Sequence, residues 1–299
     1  MITIFAPDAI GEVAPNTDLA TVVLTAVQAD AGGPLADGDI LVVTSKIISK
    51  AEGRTAAAAA RASTIRAETV RTVARRGPTT IVRTRQGLTL AAAGVDASNV
   101  DPEVILLLPQ HPDASAATLR DALQHRTGMR LGVIVSDTAG RAWRIGQTDH
   151  AIGAAGVLVR RSYAGEQDGY GNRLEVTEMA LADELAAAAD LAKGKLAGRP
   201  IAVIRGLADL VVDTAEGAAT LVRPPAQDMF AFGSAESVLV AALAGAGRLD
   251  AYQELVVMDG TERHEAVIRT VGAEGAAADL LRGMLSADLS ETAARLTAG

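Results

Sequence analysis

Three short aliphatic runs constrain this chain most. Ile40-Leu41-Val42-Val43, Leu131 to Val135 and Ile201 to Ile204 contain no polar side chain and are rich in β-branched residues. Loop signals bound them: Gly32 to Asp39 precede the first, and Pro200 precedes the third. Runs this short and continuous read as strands buried on both faces, because a half-exposed strand alternates and a buried helix is longer. Such a sheet needs helices to cover it. The clearest one is predicted over Ala180 to Lys195, where Leu181, Leu185, Ala188 and Ala192 recur at helical spacing, with acids early and lysines late. Further helices are expected over Leu19 to Val27, after the turn and cap residues Pro15-Asn16-Thr17-Asp18, and over Ala114 to Gln124 and 235–247. The alanine- and arginine-rich stretch 55–76 reads as a solvated helix. Strands are expected at Thr79 to Arg83 and Leu88-Thr89-Leu90, joined at Gln86-Gly87, and the apolar Val104 to Leu108 ends at Pro109. Gly140 to Asp149 reads as polar and irregular, and Gly165 to Asn172, with three glycines, as a mobile connection. Because several strands are adjacent, a mixed α+β fold fits as well as a doubly wound α/β fold.

Composition narrows the function. The 299 residues are enough for one large or two small domains, and the apolar fraction of 49% excludes wholesale disorder. The net charge of −8 argues against nonspecific nucleic-acid binding, and 2% aromatics leave few platforms for stacked bases. No cysteine means no disulfide, thiolate-zinc site or thiol catalysis. No stretch is apolar for the ~18 residues a membrane span needs, and the start Met1 to Phe5 has no basic region, so a cytoplasmic chain without membrane contact is expected.

Neither a Walker A loop nor a complete dinucleotide fingerprint is present, and the four histidines are scattered. Three polar clusters remain. Thr44 to Lys50 comes directly after the first buried run; a helix capped by Ser45 would put Lys46 and Lys50 on one face, suited to a phosphate or simply solvated. Gly94 to Asn99 carries Asp96 and Asn99, which can cap their own turn, ligate a hard cation or bind a base. Ser136 to Arg144 comes directly after the second run. There Asp137 and Thr138 offer the oxygens magnesium requires, Arg141 and Arg144 offer forked donors, and Trp143 reads as a core or interface anchor. Together these clusters point to metal-assisted phosphoryl chemistry, which depends on positioning and charge neutralisation.

At the same clusters the sequence resembles the coenzyme F420-0:L-glutamate ligase family. The resemblance is carried by Asp37 to Arg54, by Ala93 to Val100, and by Ser136-Asp137-Thr138 through Gly140-Arg141, Trp143-Arg144 and Gly146 to Asp149. It continues through Asp168, Tyr170-Gly171-Asn172, Thr177, Asp183-Glu184, Gly194-Lys195 and Val203 to Gly206, over roughly residues 5–245. It implies an α+β fold of mixed sheets with flanking helices, in an intertwined homodimer. It further implies GTP-driven addition of L-glutamate to coenzyme F420-0 and γ-linked extension of the tail through an acyl phosphate. Two Mg²⁺ or Mn²⁺ ions per site are implied, with K⁺ a further candidate. By motif, Asp96, Asp137 and Thr138 would hold metal, with Glu175 and Glu178 as candidates for a further acidic ligand. Ile10, Gly11, Glu12, Val13, Ser45, Lys50 and Asn99 would contact GTP, and Lys46, Arg141 and Arg144 would grip substrate anions. Two departures stand out: Ile145 replaces a polar residue, and Ala9 to Val13 departs from the family's Gly-Leu-Pro-Glu pattern. The expected organisation is a ligase domain over 1–249 and a helical tail over 250–299, standing alone without a nitroreductase-like flavin domain. An amide ligase for another carboxylate acceptor or nucleotide, and a catalytically silent nucleotide- or metal-binding protein, remain as alternatives.

Overall fold

The computed structural model describes residues 1–8, 10–213 and 216–287. The last twelve residues of the expected tail, 288–299, lie outside them. Along the chain the elements are β1 (Thr3–Phe5), α1 (Leu19–Ala29), β2 (Ile40–Thr44), α2 (Ser45–Ala51), β3 (Thr55–Ala57), α3 (Arg61–Glu68), β4 (Thr69–Arg76), β5 (Thr79–Thr84), β6 (Thr89–Ala91) and β7 (Val104–Leu106). Next come α4 (Pro112–Thr127), β8 (Gly132–Arg141), β9 (Arg144–Ala155), β10 (Arg161–Ser162), β11 (Glu178–Met179), α5 (Leu181–Lys193), β12 (Ile201–Arg205), α6 (Ser234–Gly245), α7 (Tyr252–Leu255), α8 (Gly260–Val271) and α9 (Gly275–Ser286). The fold is mixed α+β, with mixed sheets and flanking helices.

The chain divides into two compact units. The first holds 1–64, 86–88 and 94–223, built on a five-stranded sheet of order β1-β12-β2-β8-β9. Its three central strands are the three aliphatic runs. β2 and β8 are parallel, and β12 and β9 flank them antiparallel. Alternation sends Ile40, Val42 and Ile134 to a face covered by Leu181, Ala182, Leu185, Ala186 and Ala189 of α5. Leu41, Val43, Val133 and Val135, as deeply buried, point the other way. On that side α4 crosses β9 so closely that a Cβ on Gly153 would come within 2.4 Å of the Pro112 carbonyl carbon. The mouth of the sheet opposite the site is fastened by Asp39, which accepts from Arg205 Nη2 at 2.7 Å and from the Ala36 amide at 2.8 Å.

The second unit holds 65–85, 89–93 and 224–299. In it α6 packs against β4 of the sheet β4-β5-β6. Its core gathers Leu239 and Leu243 of α6 with Tyr252, Leu255, Val256 and Val267. The Tyr252 hydroxyl donates to the Thr72 carbonyl at 2.8 Å, and its ring meets Phe232 edge to face at 5.5 Å.

Two sequence expectations are corrected. The stretch 55–76 is not one helix: it is β3, a 3₁₀ turn, α3 and β4. Thr69, Val70, Thr72 and Val73 are β-branched, and pairing with β5 outweighs the helix propensity of the preceding alanines. The polar Gly140 to Asp149 is not irregular but continues the β8–β9 ladder, with Thr138 opposite Asp149 and Gly140 opposite Gln147. Gly165 to Asn172 is tied by Asp168, whose carboxylate accepts from the Tyr170 and Asn172 amides at 2.9 Å each.

Candidate active site

The parallel pairing of β2 and β8 sets Thr44 beside Ser136, so β2 ends at the edge of the sheet where β8 turns polar and runs on beside β9. Ligands gather beyond such edges because successive strands deliver loop side chains to one place. Here they deliver Ser45 and Asp137. Ser45 does not cap α2 as the sequence suggests. It is the first helical residue, Thr44 stands at the cap position without a side-chain bond, and the Ser45 hydroxyl donates to Asp137 Oδ1 at 2.8 Å.

Asp96 reaches this group from another direction. Its backbone is bonded twice to Leu106, amide to carbonyl at 3.0 Å and carbonyl to amide at 2.8 Å, which extends the pairing of β7 with β3. Its carboxylate accepts from Lys46 Nζ at 2.7 Å and from the Ser98 amide at 2.8 Å, and Lys46 also donates to the Ser98 hydroxyl. The approach to Asp96 is conformationally costly. Ala92, Ala93 and Gly94 are all left-handed (φ 50°, 56° and 71°), and Asn99 repeats this at 58°. Each non-glycine residue there costs about 1–2 kcal/mol, a kind of strain found at functional sites. Gly94 is required on packing grounds too, since a Cβ would lie 2.8 Å from the Leu108 side chain.

The two carboxylates differ electrostatically. Burial pushes Asp137 up to about 6, and repulsion from Asp149 and Asp96 adds to this against the opposing Ser45 hydrogen bond and the Lys46 charge. Burial also works against the charge of Asp96, but the hydrogen bonds from Lys46 and Ser98 outweigh it and hold that carboxyl below its ordinary range. Asp137 is therefore short of positive charge. That shortage, with donors that are all oxygen, fits a hard divalent cation beside Asp137 and Asp96, whereas Thr138 leaves β8 on the other face, its hydroxyl donating to Asp149 Oδ1 at 2.7 Å. Among the described residues no three His, Cys, Asp or Glu side chains gather as a metal cluster. Remaining ligands would therefore be hydroxyls, water or substrate oxygens.

The other sequence-predicted residues are spread over several elements. Lys50 meets Glu12 at 2.5 Å, which joins two members of the expected GTP set. Lys46 and Lys50 thus engage different carboxylates rather than forming one cationic face. Ile10 is half-buried, Gly11 and Glu12 are exposed, Val13 is buried and Asn99 is exposed. Arg141 and Arg144 lie paired at the tip of the β8–β9 hairpin, with Arg141 Nη2 bonded to the Ile145 carbonyl at 3.1 Å. Arg141 is four strand residues beyond Asp137, about 13 Å at ~3.3 Å per residue, so neither arginine joins the Asp96–Asp137 group within one chain. Glu178 is ion-paired to Arg160 at 3.2 Å, and Glu175 is exposed. Neither makes a three-acid group with Asp96 and Asp137 among the described residues. Trp143 is 80% exposed and left-handed (φ 61°), so it is not a core anchor.

Two features escaped the sequence. His150 stands directly opposite Asp137 in the ladder, its Nδ1 buried and without a partner among the described residues. Asp149 forms a buried pair with Lys193. The first follows only from the β8–β9 register and the second only from the packing of α5 on β9.

Comparison with known proteins gives the family. The chain is similar to the coenzyme F420:L-glutamate ligase of Methanothermobacter thermautotrophicus, 36% identical over 238 residues covering 73% of this chain and 94% of that protein. The ligase of the same name from Methanosarcina acetivorans is 41% identical over 192 residues, covering 58% and 76%. That of Methanopyrus kandleri is 35% identical over 242 residues, covering 73% and 93%. Residues 9–206, more than half of the chain and inclusive of Ser45, Asp96 and Asp137, match the family described as F420-0:Gamma-glutamyl ligase, and to that family this chain belongs.

Proposed function

We propose that this chain is a ligase that uses GTP to join L-glutamate to coenzyme F420-0 and then to extend a γ-linked glutamate tail. In this reading it acts as a homodimer with two Mg²⁺ or Mn²⁺ ions per site. The observation that carries the reading is the meeting of Ser45–Asp137 with Lys46–Asp96 where β2 ends beside β8. Amide formation from a carboxylate needs activation. An acceptor carboxylate oxygen bonds to the γ-phosphorus as the bond to GDP breaks. The glutamate amine then bonds to the acyl carbon, phosphate departs with its electron pair, and the nitrogen gives up its proton.

The difficulty is electrostatic, because a carboxylate must approach a triphosphate and each repels the other. The divalent cations, when bound, neutralise phosphate oxygens. Asp96 and Asp137 would hold them, with Glu175 or Glu178 as a further acidic ligand. Lys46 and Lys50 add fixed positive charge at the same edge, and Ser45 holds the Asp137 carboxylate in one orientation. Ile10 to Val13, Ser45, Lys50 and Asn99 would line the nucleotide. Arg141 and Arg144 would grip substrate anions, which their hairpin position allows only if substrate or a second chain reaches the tip. The protein's part is positioning and charge compensation rather than covalent chemistry.

The test is a mass-spectrometric ligation assay with purified protein, coenzyme F420-0, L-glutamate and Mg²⁺ or Mn²⁺, comparing GTP with ATP. A ladder rising by one glutamyl mass per step, only with GTP and metal, is expected, and it also gives the tail length. No ladder from protein that binds GTP and Mn²⁺ would redirect the assignment to another acceptor.

A further inference from the structure

The chain has only four lysines, and all stand around the edge where β2 ends: Lys46 and Lys50 on α2, Lys193 in the last turn of α5, and Lys195 just beyond it. The loop that carries Lys195 re-enters the sheet at that edge, because the Thr44 amide donates to the Pro200 carbonyl at 2.9 Å and Ile201 pairs with Val43. Three of the lysines are committed. Lys46 pairs with Asp96 at 2.7 Å, Lys50 with Glu12 at 2.5 Å, and the buried Lys193 with Asp149 at 2.7 Å. In the Lys195 loop, Arg199 is likewise paired, with Asp8 at 2.6 Å. Lys195 is exposed and meets no carboxylate among the described residues. It reaches only Thr138 Oγ1, at 3.5 Å, beyond the ~3.2 Å of a normal N–H···O bond. Between the two lysines Gly194 is left-handed (φ 62°), a conformation glycine adopts without strain, and the chain there turns Lys193 inward and Lys195 to the rim.

The two faces of β8 therefore differ in the charge they leave uncompensated. On one face Asp137 is short of positive charge. On the other, Lys193 already compensates Asp149, and the Ser136 and Thr138 hydroxyls donate to that carboxylate at 2.8 and 2.7 Å. The Lys195 ammonium is surplus there, so this face repels a cation and attracts an oxyanion. An ammonium on a flexible stem has donors to spare, and it can exchange its long contact with Thr138 for an anion at little cost. We propose that Lys195 is a catalytic residue of the ligation, donating to an oxyanion of the reactants, a nucleotide phosphate or the acceptor carboxylate, on the Thr138 side of β8. The inference rests on the ligase reading above and deepens it. The approach of two anions is eased from both faces of one strand, by the cation beside Asp137 and by the ammonium beside Thr138.

Lys195→Met removes the charge and keeps most of the stem, and Lys195→Arg keeps the charge. Because the residue is exposed, both full-length variants are expected to melt with wild type. Calorimetry measures the binding of Mn²⁺ alone, then of GTP and of coenzyme F420-0 separately, each with Mn²⁺ present. Lys195→Met is expected to weaken GTP or coenzyme F420-0 by about 10–100-fold, the range of a hydrogen bond to a charged group. Lys195→Arg is expected to recover most of that loss, and Mn²⁺ alone is expected to bind Lys195→Met at least as tightly as wild type. A loss confined to GTP assigns the anion to the nucleotide phosphates, and one confined to coenzyme F420-0 assigns it to the acceptor. Unchanged binding of both by Lys195→Met, from a wild type that binds them, overturns the role of Lys195 and leaves the ligase reading intact. Weaker binding of Mn²⁺ alone by Lys195→Met also overturns it, because removing an ammonium can only ease the approach of a cation. A wild-type chain that binds neither GTP nor coenzyme F420-0 overturns both readings.

Discussion

At the scale of single residues, the site contrasts two carboxylates. Asp96 is compensated by Lys46, and Asp137 is under-compensated by burial beside Asp149. Asp137→Asn keeps an acceptor for the Ser45 hydroxyl but removes the charge that would hold a cation. It is expected to cut ligation by about 100-fold or more, a loss in the range seen when a key electrostatic group is removed, with the circular dichroism spectrum unchanged. Turnover equal to wild type would remove Asp137 from the chemistry. Asp96 and Asp137 were legible as candidates from residue type and from the polar clusters that hold them. The difference between them was not, because it depends on Lys46, fifty residues from Asp96 along the chain.

At the scale of elements, two tests concern how the site is carried. Gly153 lies where α4 crosses β9, with no room for a methyl group against Pro112. Gly153→Ala is expected to destabilise the chain by about 1–3 kcal/mol, read from urea unfolding, because a close-packed crossing must be forced apart. The second concerns α1, capped by Asp18, whose carboxylate accepts from the Thr21 amide and hydroxyl and from Arg126 Nη2. The Arg126 hydrogen bond, then that of Thr21, lowers its pKa to about 2. A depressed carboxylate stabilises the fold above its unfolded pKa, ~3.9, and that stabilisation disappears as pH falls towards 2. Asp18→Ala is therefore expected to melt at a lower temperature than wild type at pH 7, with the gap closing on acidification below about 4. A gap independent of pH would show that the cap acts without its charge. The elements also divide by legibility. β2, β8, β12 and α5 were readable because burial imposes uniform apolarity or a helical period. β4 and the outer half of the β8–β9 hairpin were not, because solvated strands carry threonine, arginine and glycine that composition alone assigns to loops or helices.

At the scale of the whole molecule, no helix among the described residues is long and apolar enough to cross a membrane. Trp143, Ile145, Leu191 and Leu196 are 80–101% exposed. Apolar groups in this position suit contact with a second chain. Light scattering is expected to return twice the 30.6 kDa chain mass, and a monomer at working concentration would remove the dimer from the proposal. Mg²⁺ with GTP, each at about a hundred times its dissociation constant, is expected to add roughly 2.7 kcal/mol per independent ligand to stability, seen as a higher melting temperature that EDTA reverses.

The sequence alone determined the buried strands and the polar residues that follow them, because both are local: a continuous run of β-branched side chains favours burial on both faces, and the polarity that follows marks where that burial ends. The tertiary structure decided which of those residues meet. Ser45 reaches Asp137 across 92 positions, Lys46 reaches Asp96 across 50, and Lys193 reaches Asp149 across 44. The first pairing is set by the parallel register of β2 with β8, the second by the bridge of Asp96 to Leu106 of β7, and the third by α5 packed on β9; no local pattern encodes contacts between elements so far apart.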